Sequence, residues 1–205
     1  MSHIIHEVKD FPIVFSKNKN DELNARIEAF VLAMKRKKQS VDYYVENRNV
    51  EASKAAEDIF LGKKAEYIAL AALVKYFNYP TLDIDLEIRE GSSKGWDKDL
   101  QFNRIDSNFP NVHVKACSSH TYRICDNDYS WTFQKSNNNG KFGSDDVLNE
   151  MSNDLVAMVY LDNPKSNKGI VKAIIQQKSI FQYLKLPKKV SLWGLKRCIY
   201  YDDLK

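Results

Sequence analysis

The longest helical signal in the sequence is the Ala- and Leu-rich run VEASKAAEDIFLGKKAEYIALAALVKYFNYP, at 50–80. Gly62 has low helix propensity and is predicted to divide the run into a helix, a joint and a longer helix that ends before Pro80. Apolar residues cover nearly the whole circumference of the second piece, so it should pack against a sheet and not lie on the surface. The rest of the chain therefore has to supply strands.

The apolar residues change to a period of two directly after Pro80, which is typical of half-buried strands. In TLDIDLEIRE (81–90) four aliphatic residues alternate with charged ones. Two further helices are predicted, at 20–38 and 178–187. The remaining predicted strands are KDLQF (98–102), NVHVKACSS (111–119), YSWTFQ (129–134), DLVAMVYLD (154–162), KGIVKAIIQ (168–176) and LKRCIYYDDL (195–204).

This order of elements, with helices first and strands afterwards, predicts an α/β fold with a mixed central sheet flanked by helices. The 205 residues are enough for one substantial domain and marginal for two. We therefore expect a single domain over 1–205, with residues 1–50 as its N-terminal helical extension.

Cysteine use and hydropathy predict a soluble, cytoplasmic protein. Cys117, Cys125 and Cys198 form no Cys-x-x-Cys pair, which favours a reducing compartment over a disulfide framework or a zinc knuckle. No run approaches the length needed to span a bilayer, so no membrane association is expected. The net charge of +4 permits a polyanionic partner without requiring one.

The stretches GWDKDLQF and NVHVKAC combine carboxylates with a lysine on neighbouring predicted strands. Side chains alternate along a strand, so His113 and Lys115 share one face, as do Asp97 and Asp99. A carboxylate, a second ligand-type side chain and a lysine can therefore meet at one end of the sheet. This combination suits metal-assisted phosphodiester hydrolysis, because Mg²⁺ takes oxygen ligands, polarises the phosphoryl oxygen and acidifies a bound water. The lysine can position that water or neutralise charge on the phosphate.

The arrangement GWDKDL…VHVKAC, with a glutamate on the upstream helix AEYIALAALV, resembles the PD-(D/E)XK nuclease superfamily, which includes most Type II restriction endonucleases. The resemblance covers roughly residues 62–135, with a continuation of the sheet to 176. It implies a restriction-endonuclease-like fold and a Mg²⁺-dependent endonuclease, with Mn²⁺ as a substitute, that hydrolyses double-stranded DNA. It also allows a homodimer in which each subunit cuts one strand.

The resemblance assigns site residues position by position. Asp99 matches the metal-binding aspartate, with Asp97 as the alternative, and Glu66 matches a helix glutamate that many members add to the metal shell. Lys115 matches the catalytic lysine. Gln134, at the end of SWTFQ, is a candidate for orienting a phosphate or a water in the same cleft.

His113 departs from the family pattern, because the position two before the lysine is normally Glu or Asp. Either Glu66 supplies the missing charge, or the chain is a slow or inactive relative that keeps the fold as a DNA-binding module. A third interpretation is an unrelated mixed α/β domain in which Lys115 pairs with a core carboxylate.

Each candidate also has a purely structural interpretation. Asp99 can be a solvated carboxylate in a turn, and Gln134 can bond to backbone groups. Glu66 can form a local ion pair with Lys63 or Lys64. The lysines that either line a phosphate track or lie on an ordinary solvated surface are Lys63, Lys64, Lys94, Lys98 and those of KLPKK (185–189).

Overall fold

The computed structural model describes residues 6–36, 52–87, 99–119, 128–134, 146–149 and 152–204. Its helices are α1 (Lys17–Arg36), α2 (Ala52–Phe77) and the single-turn α3 (Asp146–Asn149). Its strands are β1 (Phe11–Val14), β2 (Val112–Ser118), β3 (Ser130–Gln134), β4 (Leu155–Leu161), β5 (Lys168–Gln176) and β6 (Lys196–Tyr200). Short 3₁₀ helices lie at Phe102–Arg104, Gln177–Tyr183, Val190–Leu192 and Tyr201–Leu204. The residues discussed above that lie outside the described part are Lys94, Asp97, Lys98 and Cys125.

Four strands form a mixed sheet in the order β1-β5-β4-β2. β2 runs parallel to β4, whereas β5 is antiparallel to both of its neighbours, β4 and β1. β3 and β6 pair antiparallel in a separate two-stranded ribbon. The predicted α/β fold with a mixed sheet is therefore confirmed.

Two apolar cores cover the two faces of the sheet. Alternation along β4 puts Leu155 and Ala157 into the helix-side core, with α1 and α2, and puts Val156 and Met158 into the ribbon-side core, with β3 and β6. The predicted packing of α2 against a sheet is confirmed by its completely buried apolar residues, which are Ala65, Ile68, Ala69, Ala72 and Leu73.

α2 is one continuous helix, so the predicted joint at Gly62 is wrong. A glycine costs about 1 kcal/mol inside a helix. Phe60 and Ala65, on either side of Gly62, are both buried in the helix-side core, and burying such side chains outweighs that cost. The helix ends at Phe77, and Asn78 takes a left-handed conformation with φ 56°.

Gly169 of β5 allows α2 to approach the sheet closely. A Cβ atom at this position would overlap Cδ1 of Ile68 and lie 3.1 Å from its Cγ1. Because Ile68 is completely buried, its side chain has little room to move away.

Residues 81–87 form no strand, so the strand predicted over 81–90 is wrong for the part that the structure describes. Oδ1 of Asp83 accepts a hydrogen bond from the backbone N–H of Ile84 (3.0 Å), and Oδ1 of Asp85 accepts one from that of Glu87 (2.9 Å). Such local bonds satisfy backbone donors that a strand would pair with a neighbour. Ile84 is nevertheless buried, so the alternation marks a segment packed on the core without strand pairing.

Several other predicted elements form with a different length or partner. In the described part of the strand predicted at 98–102, residues 99–102, the pairing is one antiparallel bridge between Leu100 and Val112. The helix predicted at 178–187 is the 3₁₀ helix Gln177–Tyr183. The N-terminal region supplies β1 to the sheet as well as α1 to the helix-side core. Among the helices in the described ranges, none is long and apolar enough to cross a membrane.

Candidate active site

Asp99 lies at the outer edge of β2, the strand that carries Lys115. The backbone groups of Leu100 and Val112 exchange two hydrogen bonds (3.0 and 2.9 Å), which makes the two segments antiparallel neighbours. The backbone N–H of Val114 donates a 2.6 Å hydrogen bond to Oδ2 of Asp99. A carboxylate forms a short, strong bond to such a donor, so the Asp99 side chain is held in a defined position.

Glu66 of α2 is close enough to Asp99 for the two carboxylates to interact electrostatically. The residue is only 5% exposed. Burial, followed by the negative charge of Asp99, raises the pKa of Glu66 to about 8. Lys63 acts in the opposite direction, because its Nζ lies 2.9 Å from Oε1 and 3.0 Å from Oε2 of Glu66. Since the net change in pKa is upward, Glu66 is mostly protonated at neutral pH unless a further cation enters the site.

The carboxylate pair has the donor chemistry that Mg²⁺ requires. This cation takes oxygen ligands, keeps several waters and is usually held by one or two carboxylates together with substrate phosphates. Asp99 and Glu66 can supply both carboxylates, and a divalent cation between them would favour the ionised form of Glu66. Within the described ranges, no three His, Cys, Asp or Glu side chains form a group that could hold a metal ion.

His113 and Lys115 leave β2 on the face opposite to α2. Val114 and Ala116 pack against the helix-side core, whereas Cys117 belongs to the ribbon-side core. Because side chains alternate along the strand, His113 and Lys115 share the face of Cys117. His113 is buried there, with 5% of its surface exposed, and Lys115 is half-buried.

The ribbon covers this second face of β2. Nζ of Lys115 lies 5.6 Å from the centroid of the Phe133 ring, which is a cation–π contact. Gln134, the next residue of β3, lies opposite Lys196 in the ladder. Alternation places Gln134 on the outer face of the ribbon, whereas Phe133 faces β2.

The structure thus brings together two of the predicted site residues, Asp99 and Glu66. Lys115 lies on the other face of the sheet, where its Nζ contacts the Phe133 ring, so the predicted meeting of the lysine with both carboxylates on one face is not seen. Gln134 lies on the far side of the ribbon. The alternative aspartate, Asp97, lies outside the described residues.

Two lysines proposed for a phosphate track already have partners inside the protein. Lys64 is completely buried. Its Nζ donates to Oδ1 of Asn20 (2.5 Å) and Oδ1 of Asn24 (2.7 Å), and burial lowers the pKa of Lys64 to about 8. Lys64 therefore cannot reach a phosphate. Lys63 forms the local ion pair with Glu66 that the sequence spacing allows.

Arg197 of β6 is a neighbour of this region that the sequence pattern does not mark. It lies directly opposite Phe133 in the β3–β6 ladder, and opposite residues of an antiparallel pair lie on the same face. Arg197 thus lies on the same face of the ribbon as Phe133, whose ring contacts Lys115. The sequence predicts both ribbon segments as strands, but it does not indicate that they pair with each other and so place Arg197 opposite Phe133.

Comparison of the chain with protein-family models, curated proteins and solved structures found no match.

Proposed function

We propose that the protein is a Mg²⁺-dependent endodeoxyribonuclease of restriction type, which hydrolyses phosphodiester bonds in double-stranded DNA and has a restriction-endonuclease-like fold. One observation carries the proposal. Asp99 is fixed at the edge of β2 by a 2.6 Å hydrogen bond and lies close enough to the buried Glu66 for its charge to help raise the pKa of that residue. Two carboxylates in such a place are costly unless a proton or a cation is shared between them.

Asp99 and Glu66 would hold the cation. When bound, Mg²⁺ supplies charge neutralisation at the phosphoryl oxygen and acidifies a water ligand. Nζ of Lys63 contacts both side-chain oxygens of Glu66, so binding of the cation would require Lys63 to release at least one of them.

We assign Lys115 a different role from the carboxylates, because it lies on the ribbon-side face of β2, where its Nζ is 5.6 Å from the centroid of the Phe133 ring. From there its ammonium group can neutralise charge that develops on the phosphate. His113 shapes the site from within the core and not as a metal ligand, since it is buried on the face away from Glu66. A role for Gln134 in orienting phosphate or water stays a prediction.

Plasmid cleavage tests the proposal. Supercoiled DNA is incubated with Mg²⁺ or Mn²⁺ and with the wild type, Asp99→Asn, Glu66→Gln or Lys115→Ala. Glu28→Gln is the matched control, because Glu28 is an exposed α1 residue paired with Lys165. We expect cleavage by the wild type and the control only. Equal cleavage by all five proteins would remove the assigned site.

A second candidate function is a DNA-binding module that has lost catalysis. It is favoured by His113, which occupies the position where the family has an acid, and by Lys63, which already pairs with both oxygens of Glu66. Such a module would retard DNA in a gel without metal and never cut it. Activity gained by His113→Glu or His113→Asp would support this candidate, whereas activity lost from a working enzyme would reject it.

The proposed setting is the cytoplasm, where the buried thiols Cys117 and Cys198 would stay reduced. A homodimer with two-fold symmetry would place one active site on each DNA strand. Analytical ultracentrifugation with and without a DNA duplex would test it, and a monomer in both conditions would reject the dimer.

A further inference from the structure

The segment KLPKKVSLWGLKR, residues 185–197, is basic without any acidic residue. It connects the 3₁₀ helix Gln177–Tyr183 to β6 and continues into that strand. We call it the basic loop. Its charged residues are Lys185, Lys188, Lys189, Lys196 and Arg197.

The basic loop also exposes large apolar side chains. Leu186, Val190 and Trp193 are 47%, 66% and 46% exposed, respectively. The indole is fixed in place, because Nε1 of Trp193 donates a 2.6 Å hydrogen bond to the carbonyl oxygen of Pro187. A fixed, exposed aromatic side chain beside several lysines is a combination typical of a binding surface and not of an ordinary solvated loop.

The lysines of the basic loop are only partly neutralised. Lys185 pairs with Asp203, and Lys188 lies 3.5 Å from Asp128, but their side chains remain 57% and 47% exposed. Lys189 is exposed, and no carboxylate in the described part of the chain pairs with it. The surface therefore keeps positive charge available for a polyanion.

The basic loop is continuous with the ribbon that covers Lys115. Nη1 of Arg197 donates to the carbonyl oxygen of Trp193 (3.1 Å), which ties the loop to β6. Arg197 lies opposite Phe133 in the β3–β6 ladder, and Nζ of Lys115 lies 5.6 Å from the centroid of the Phe133 ring. Arg197 and Phe133 thus connect the exposed loop to Lys115 of β2. This continuity favours DNA over an anionic membrane as the partner.

We propose that the basic loop is the DNA-holding surface of the protein. Lys188 and Lys189 contact backbone phosphates, which position the duplex, and Trp193 makes the apolar contact with the sugar and base edges. The identity of the ligand rests on the proposed function, but the surface can hold DNA whether or not the protein cuts it.

Fluorescence anisotropy of a labelled DNA duplex in EDTA tests this surface, because cleavage is then absent. The variants are the double substitution Lys188→Gln with Lys189→Gln, and Trp193→Ala beside Trp193→Phe. The matched control is Lys17→Gln with Lys19→Gln, two exposed lysines of α1, which packs on the opposite face of the sheet. Thermal unfolding of every variant shows whether the fold is kept.

We expect the double substitution in the basic loop to weaken binding about tenfold and to reduce the slope of log affinity against log salt by roughly 2. Trp193→Ala should weaken binding, whereas Trp193→Phe should retain most of it because a flat apolar ring remains. The α1 control should bind like the wild type.

Unchanged affinity and salt slope in the folded double variant would overturn the proposal. The proposal would also be overturned if the protein bound vesicles of phosphatidylserine and phosphatidylcholine through the same residues but did not bind DNA. Failure of this surface and failure of the nuclease are distinguishable. If the wild type cuts DNA and the double variant binds DNA normally, only the proposal for the basic loop is rejected. If DNA binding depends on the loop but no cleavage occurs, only the nuclease proposal is rejected.

Discussion

Glu66→Gln is the substitution that isolates the electrostatic cost of the candidate site. Glutamine keeps the shape of the side chain and removes its ionisation. The pKa of Glu66 in the folded protein is about 8, above its ordinary value of 4.5. Between these two values the folded state holds a proton that the unfolded state has lost, so the stability of the wild type falls as pH rises through this range. The glutamine variant has no such dependence from residue 66.

The size of the effect follows from the displacement of the pKa. It corresponds to a loss on the order of 4 kcal/mol for the wild type relative to Glu66→Gln over the range from about pH 5 to about pH 8. The pKa of about 8 already includes the effect of Lys63, which lowers the pKa of Glu66 and so opposes the larger effect of burial. An exposed carboxylate such as Glu28, 51% exposed and paired with Lys165, should give no comparable loss.

Urea unfolding at about pH 5, 6, 7 and 8 measures this difference for the wild type, Glu66→Gln and Glu28→Gln. We expect the wild-type stability to fall towards alkaline pH relative to Glu66→Gln, and Glu28→Gln to follow the wild type. Added Mg²⁺ should restore wild-type stability at the alkaline end and leave Glu66→Gln nearly unchanged. Parallel pH curves for all three proteins would refute the reasoning, because they would mean that Glu66 ionises at an ordinary pKa.

Three further predictions concern the fold that positions the site. Gly169→Ala should destabilise the protein by about 1–3 kcal/mol, because the methyl group of the new alanine would overlap Ile68. In urea unfolding, adding Ile68→Val should recover part of that loss of stability. If the losses of the two single variants simply add in the double variant, the overlap is contradicted. Gly62→Ala should raise the stability by up to about 1 kcal/mol, since space around Gly62 is open within a continuous helix; a lower melting temperature would contradict this. Lys64→Met should cost about 1–3 kcal/mol by leaving Oδ1 of the buried Asn20 without its donor, and an unchanged unfolding midpoint would show that the bond contributes nothing.

Much of the fold could be predicted from apolar periodicity. β5 has the predicted bounds, 168–176, because a run of aliphatic residues flanked by turn residues is long enough to identify a buried strand. The burial of α2 followed from its apolar circumference. Periodicity failed at 81–87, where aspartate side chains bond to the nearby backbone in place of a neighbouring strand. It also could not show that β3 leaves the main sheet to pair with β6, since such pairing depends on distant residues.

The candidate site was predictable only in part. The spacing of the two strand segments correctly indicated that Asp99 would lie beside β2. The closeness of Glu66 and Asp99 came from the family resemblance and not from periodicity. Alternation within β2 showed that His113 and Lys115 share a face, but it could not show that α2 covers the opposite one. That requires the three-dimensional packing of both cores.

Isothermal titration with Mn²⁺ tests most directly whether Asp99 and Glu66 form a cation site. We expect one Mn²⁺ site per chain in the wild type and in Glu28→Gln, with the binding heat lost in Asp99→Asn and strongly reduced in Glu66→Gln. Equal Mn²⁺ binding by all four proteins, or no binding by the wild type, would contradict this expectation.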